Sequence, residues 1–199
     1  MTQTASDPAS WQAFVETCLL CRDCALSENR RHVVVYRGAE RAPLMLIGEG
    51  PGADEDRQGL PFVGRSGQLL NVLLTAFGLS EADYHIANVV KCRPPGNREP
   101  TDGEIAACRR LLDRQIELVQ PKVIVLLGSV AYRRLTGTPV SISKVRGHFF
   151  EWQGCQVMPT FHPAYVLRDG RQRTKLWVDM GMARRKLEEL ALLPPLTFI

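Results

Sequence analysis

Residues 42–50 read APLMLIGEG, an apolar, β-leaning run that stops in a glycine-rich turn carrying an acid. A short run that is apolar throughout and bounded by glycine fits a strand buried on both faces of a sheet. Three further runs of the same kind follow at intervals: YHIANVVK (84–91), PKVIVLLGS (121–129) and CQVMPTFHP (155–163). The segments between them read as helices. GRSGQLLNVLLTAFGL (64–79) spaces its apolar residues for one helix face, TDGEIAACRRLLDRQIELV (101–119) opens on a Thr-Asp capping signal with Glu104 soon after, and SVAYRRLTG (129–137) continues directly from the third run. Strand alternating with helix predicts an α/β fold with a mostly parallel sheet covered on both faces. Ligands of such folds sit at the carboxyl ends of the strands. GEGPG, the region of Asn88 and FHP all stand there. Working outward, RRHVVVYRGAERA (30–42) predicts an edge strand or hairpin arm, helices are expected from about Pro8 to Cys18 and Gln172 to Leu190, and the apolar tail LLPPLTFI is expected to pack on the domain.

A chain of 199 residues with 45% hydrophobic content can bury one sizeable core, so residues 1–199 are expected to form a single domain. The net charge of +4 is small, but RDGRQRTK (168–175) packs three Arg and one Lys into eight residues, which is compatible with a polyanionic partner. MTQTASDPAS lacks the basic start and apolar core of a signal peptide, and no apolar run approaches the ~18 residues that a membrane span requires. The expectation is a cytoplasmic protein with no membrane association.

In a reducing compartment, six cysteines are better read as metal-site candidates than as a disulfide framework. Cys18, Cys21 and Cys24 form C-x2-C-x2-C, and Cys92 and Cys108 follow with fifteen residues between them. A close group on one turn plus two distant thiols is how a chain encloses either a tetrahedral zinc or an iron–sulfur cluster. Cys155, between Gly154 and a strand, reads as a small buried hydrophobe. Pinning both ends of RPPGNREPTDGEIAA would leave a rigid, basic loop beside the site.

The stretch GEGPGADEDRQGLPFVGRSGQLL (48–70) invites a phosphate with its glycines and repels one with Glu49, Asp54, Glu55 and Asp56. It also lacks the Gly-Lys-Ser/Thr ending of a phosphate-binding P-loop. Taken with NVVKCRPPGNREP (88–100), HPAYVLR (162–168) and the arrangement of cysteines, it closely resembles the family-four uracil-DNA glycosylases, the iron–sulfur branch of the uracil glycosylase superfamily. The resemblance runs from about Cys21 to Arg168. It implies a three-layer αβα fold with a central four-stranded parallel sheet flanked by helices, a [4Fe-4S] cluster, and excision of uracil from single- or double-stranded DNA at the start of base excision repair. A monomeric protein of prokaryotic type acting at the nucleoid is implied as well.

Carried over by position, the resemblance makes Cys21, Cys24, Cys92 and Cys108 the cluster ligands, with Cys18 an extra thiol able to compete with Cys21. Gly50 stands where the family's first motif usually has alanine, which motivates a second reading, a non-catalytic iron–sulfur DNA-binding module on the same fold. Breaking an N-glycosidic bond places positive charge on the sugar and negative charge on the departing base. For this the resemblance offers Glu49 and His162 as catalytic residues, Glu49 for the water or the cationic sugar and a neutral His162 donating to uracil O2. Gly48, Glu49, Gly50, Glu55, Phe62, Asn88 and His162 would line the base pocket. Phe62 would stack on the ring, the Asn88 amide would read the polar edge that cytosine reverses, and Glu55 would lie near C5. Arg65, Ser66, Lys91, Arg93, Arg98, Leu167 and Arg168 would meet DNA, with Val166 or Leu167 pressed into the base stack. No histidine follows Cys92 in the loop, so the covalent adduct of another superfamily branch is not expected.

Overall fold

The four apolar runs become four adjacent parallel strands in the computed structural model of the chain, which describes residues 8–196. In chain order the strands are β1 (Arg37–Gly38), β2 (Leu44–Gly48), β3 (Tyr84–Asn88), β4 (Val123–Leu127), β5 (Phe150–Trp152) and β6 (Cys155–Thr160). They form one sheet in the order β1-β3-β2-β4-β6-β5. The sheet is therefore mixed and has six strands among the described residues, which corrects the expectation of a purely parallel four-stranded one. Antiparallel β1 caps one edge and antiparallel β5 the other. β1 falls inside the segment expected to form an edge. β5 arises from a two-residue turn, Gln153–Gly154, whose positive φ values of 48° and 76° let Trp152 pair directly with Cys155.

Helices α1 (Pro8–Leu20), α2 (Leu26–Asn29), α3 (Ala53–Gln58), α4 (Arg65–Ala76), α5 (Asp102–Val119), α6 (Ser129–Thr136), α7 (Ile142–Val145), α8 (Pro163–Arg168) and α9 (Arg173–Glu189) complete the architecture. Side chains of β2 alternate between two cores, as a pleated strand requires. Met45 and Ile47 pack with Phe14 of α1 and with Leu112 and Ile116 of α5, whereas Leu44 and Leu46 pack with Leu70 and Leu74 of α4 and with Leu176 and Met180 of α9. Each face of the sheet is thus covered by helices, the three-layer arrangement. Thr101 starts α5 with a reciprocal cap, its Oγ1 accepting from the Glu104 N–H while the Glu104 carboxylate accepts from the Thr101 N–H.

Leu192, Leu193 and Leu196 of the C-terminal tail pack against the second core, while residues 197–199 and the N-terminal stretch 1–7 lie outside the described residues. No described helix is long and apolar enough to cross a membrane. In register, β2 Gly48 pairs with β3 Asn88 and β4 Leu127 with β6 Thr160, so the residues just beyond them converge at one end of the sheet.

Candidate active site

At that end lies a cavity of about 670 Å³, whose wall includes Glu49, Gly50, Glu55, Phe62, Ser66, Asn88, Arg98, His162 and Arg168. Nine residues singled out in the sequence therefore meet in one place. Gly48 stands directly behind it, where a Cβ would lie 2.5 Å from Asn88 Oδ1 and 2.7 Å from Phe62 Cζ. Only a residue without a side chain lets both groups close on the cavity.

Phe62 is held in an unusual conformation. Its φ of 55° is left-handed, a costly setting for a bulky residue. Three contacts over-determine it. The Glu55 carboxylate accepts N–H bonds from Val63 (3.0 Å) and Gly64 (2.9 Å) and, on the other side of the loop, from Gly52 (3.1 Å). Arg37 Nη1 donates to the Phe62 carbonyl (3.1 Å) while its Nη2 donates to Asn71 Oδ1 (2.6 Å). The start of α4 presses on the same peptide, because a Cβ at Gly67 would lie 1.8 Å from the Phe62 oxygen. Glu55 thus lies in the cavity wall, but its oxygens are committed to folding the loop. Arg37 had not been singled out, and its place beside Phe62 has no local sequence signal.

His162 caps α8, its Nδ1 accepting from the Ala164 N–H (3.1 Å). An accepting Nδ1 places the ring proton on Nε2. Burial, with the nearby Arg168 cation, lowers the pKa to about 4, so the ring is neutral near pH 7. It lies stacked beside Phe62, with ring centroids 5.6 Å apart. Asn88, buried at the end of β3, leaves Oδ1 without a hydrogen-bond partner. An unpaired buried acceptor costs about 1–3 kcal/mol, and here it borders a cavity large enough to supply a donor. Burial and the neighbouring Glu99 raise the Glu49 carboxyl above its usual range, with Arg133 opposing them.

Gly50 is explained by its neighbour. A Cβ there would lie 2.8 Å from Val90 Cγ2, so a methyl of this chain's own valine occupies the space that alanine would need. Gly128, Ser129, Ser143, Phe161 and Tyr165 complete much of the remaining wall and had not been singled out. Gly128 and Ser129 follow the carboxyl end of β4, the position at which an α/β sheet presents ligand-binding residues, and that rule alone would have found them.

On the surface, Arg65 is exposed at the first position of α4 and Ser66 turns into the wall. Arg93 donates to Asn97 Oδ1, and Arg98 forms a bidentate pair with Glu104, whose pKa that pair brings down to about 2. Val166 is fully buried and cannot insert into DNA, whereas Leu167 is exposed beside Arg168. Lys91 is a correction. Its side chain is 1% exposed, and its ammonium donates inward to the Asn88 carbonyl (2.8 Å) and Gln115 Oε1, so it does not reach a DNA-facing surface.

Cys18, Cys21, Cys24, Cys92 and Cys108 line a second, smaller space behind β3, together with Lys91 and Arg30. Arg30 Nη1 donates to Cys92 Sγ (3.1 Å) and Nη2 to the Cys21 carbonyl (2.7 Å), which links the two halves of the cysteine set. Burial pushes the Cys18 thiol up to about 12 and the Cys108 thiol to about 11. A bound metal would reverse this by favouring thiolates. Among the described residues, no three His, Cys, Asp or Glu side chains are gathered tightly enough for a single metal ion. Cys155 lies apart and donates to the Pro121 carbonyl (3.2 Å), in keeping with a structural residue.

Comparison with known proteins points in one direction. The sequence profile of the uracil DNA glycosylase superfamily matches residues 35–181. The chain is 50% identical over 151 residues to a type-4 uracil-DNA glycosylase of Thermotoga maritima, covering 75% of this chain and 79% of the relative. It is 39% identical over 194 residues to one of Sulfurisphaera tokodaii (93% and 86% covered), and 41% identical over 186 residues to one of Saccharolobus solfataricus (89% and 84%).

Proposed function

The chain belongs to the uracil-DNA glycosylase superfamily, and within it to the type-4 enzymes, and from that premise we propose that it hydrolyses the N-glycosidic bond of deoxyuridine in DNA. The reaction releases uracil and leaves an abasic site, the first step of base excision repair. The observation that carries this reading is the unpaired, buried Asn88 Oδ1 in a cavity shared with Phe62 and a neutral His162.

Uracil flipped from the helix loses its stacking, a cost of about a few kcal/mol that the Phe62 ring offsets. Asn88 Oδ1 accepts the uracil N3–H and Nδ2 donates to O4. Cytosine presents the opposite pair and leaves both amide groups unsatisfied. As the bond breaks, negative charge gathers on O2, and His162 Nε2–H donates to it without needing to be charged. The Glu49 carboxylate faces the sugar, where it stabilises the cationic centre and orients the attacking water. Gly48 and Gly50 keep the backbone clear of the base, and the Glu55 carboxylate fixes the loop against which C5 rests.

Arg65, Ser66, Arg93, Arg98 and Arg168 are offered to DNA phosphates, with Leu167 as the apolar wedge. We read it as a monomeric enzyme of one domain. We read its place of action as the cytoplasm, at a prokaryotic nucleoid.

Cys21, Cys24, Cys92 and Cys108 would hold a [4Fe-4S] cluster. The donor set is all sulfur and faces one shared space, and the Arg30 and Lys91 cations beside it suit an anionic thiolate assembly. When bound, the cluster would supply a rigid cross-link between the N-terminal segment and the loop that carries Arg93 and Arg98. Cys18 is left as a fully buried neighbour.

The test is base release from otherwise identical oligonucleotides carrying uracil, hypoxanthine or thymine, using the iron-loaded protein with no nucleotide or further metal added. Free uracil should appear and thymine should not. Salt-sensitive DNA binding with no uracil released from single or double strands would instead establish the non-catalytic module.

A further inference from the structure

Lys91 takes no part in the chemistry above, yet it is a fully buried basic side chain just beyond the end of β3. Its ammonium donates to the main-chain carbonyl of Asn88 (2.8 Å) and to Gln115 Oε1 on α5. Gln115 Nε2 in turn bonds to the Val35 carbonyl (3.1 Å) and to His85 Nε2 (2.9 Å), and His85 Nδ1 donates to the Ala39 carbonyl (2.7 Å). The partners of the ammonium are neutral oxygens. The side chains of Cys18, Cys92 and Cys108 line the same small space as Lys91. The same side chain therefore lines the cysteine space and grips the peptide that presents Asn88 to the cavity. A buried cation is retained only where its surroundings compensate it, and breaking such an arrangement costs more than an ordinary hydrogen bond.

We propose that Lys91 is a positioning residue that ties the cysteine site to Asn88, so that an intact cysteine site sets the orientation of the amide that reads uracil. The inference rests on the functional reading given above. Arg30 provides the internal contrast. It also bonds to the cysteine set, through Cys92 Sγ and the Cys21 carbonyl, but none of its bonds reaches Asn88.

The test combines two readouts on the iron-loaded protein. Lys91→Met, Gln115→Leu and Arg30→Met are each made alone and with Asn88→Ala, and single-turnover uracil release is measured beside the rate at which iron is lost to a chelator. Lys91→Met should slow uracil release by on the order of tenfold, because small misplacements of a reading group are costly. Its loss combined with Asn88→Ala should be much less than the product of the two single losses. Gln115→Leu should show the same non-additivity at smaller amplitude, and it carries the test if Lys91→Met does not fold. Arg30→Met should be multiplicative with Asn88→Ala. Iron loss should quicken several-fold in Lys91→Met and be unchanged in Asn88→Ala. An active wild type with multiplicative losses for both Lys91→Met and Gln115→Leu, or with unchanged iron loss in Lys91→Met, overturns the coupling alone. A wild type that releases no uracil overturns the functional reading instead.

Discussion

Asn88 and Lys91 are three residues apart, both buried, and treated in opposite ways by the fold. Asn88 keeps an acceptor with no partner at the edge of a cavity, whereas Lys91 is drawn into a chain of hydrogen bonds through Gln115 and His85. An interior polar group is normally paired because leaving it bare costs about 1–3 kcal/mol. The bare one is therefore the one for which a ligand supplies the partner, and the paired one belongs to the scaffold. The glycine-rich loop shows the same division. Its acids had looked like one anionic cluster, yet Glu55 is consumed by backbone N–H groups while Glu49 faces the cavity.

If this division is right, variants on its two sides must fail differently. The largest effects belong to the cavity. Asn88→Ala and His162→Ala should each reduce uracil release by about 10²–10³-fold, the usual cost of removing one donor to a developing charge or one edge contact. Asn88→Ala should at the same time leave the thermal midpoint within about 2 °C of wild type, because the bond it removes is not made in the free protein. A large drop in midpoint would put Asn88 in the scaffold. Glu55→Gln should behave the other way. One carboxylate oxygen becomes an N–H₂ facing backbone N–H groups, so stability should fall by about 1–3 kcal/mol in denaturant titrations. Its activity should fall less than that of the cavity variants, through displacement of Phe62. A Glu55→Gln protein of undiminished stability would mean that the three N–H bonds do not hold the loop.

The four central strands were legible because each is an apolar run closed by a turn, a pattern set by burial on both faces. The second antiparallel strand, β5, was not. Phe150, Glu151 and Trp152 alternate in polarity over only three residues, and the informative signal was the Gln-Gly turn rather than the strand. In the site, residues that act by facing a cavity were recoverable from motif and position, including Phe62, Asn88 and His162. Residues whose role depends on distant partners were not. Lys91 sits in a stretch that reads as basic surface, and it is held inward by the Asn88 carbonyl and by Gln115, twenty-four residues away on another element. Arg37 reaches Phe62 across twenty-five residues and carries no motif.

The smallest effect separates the two acids of the cavity mechanism by pH. Glu49 must be ionised to face a cationic sugar, and its pKa is raised, first by burial and then by Glu99. His162 must be neutral, and it gains a proton only at about 4. As pH falls, Glu49 is therefore protonated first and sets the acid limb of kcat/KM, above the usual 4.5. The anionic Glu99 favours the protonated form of Glu49. Removing its charge in Glu99→Gln lowers the Glu49 pKa, so the limb should move to lower pH by about a few tenths of a unit, the shift that a screened neighbour at the surface can produce. Arg133, which donates to Glu99 (3.1 Å) and favours the Glu49 carboxylate, should act in the opposite sense, and Arg133→Met should move the limb to higher pH. Opposite displacements in the two variants identify Glu49 as the titrating group. A limb that stays near pH 4 in both variants would assign it to His162, whose pKa is set by burial and Arg168 and not by Glu99 or Arg133, and leave Glu49 without an ionised role.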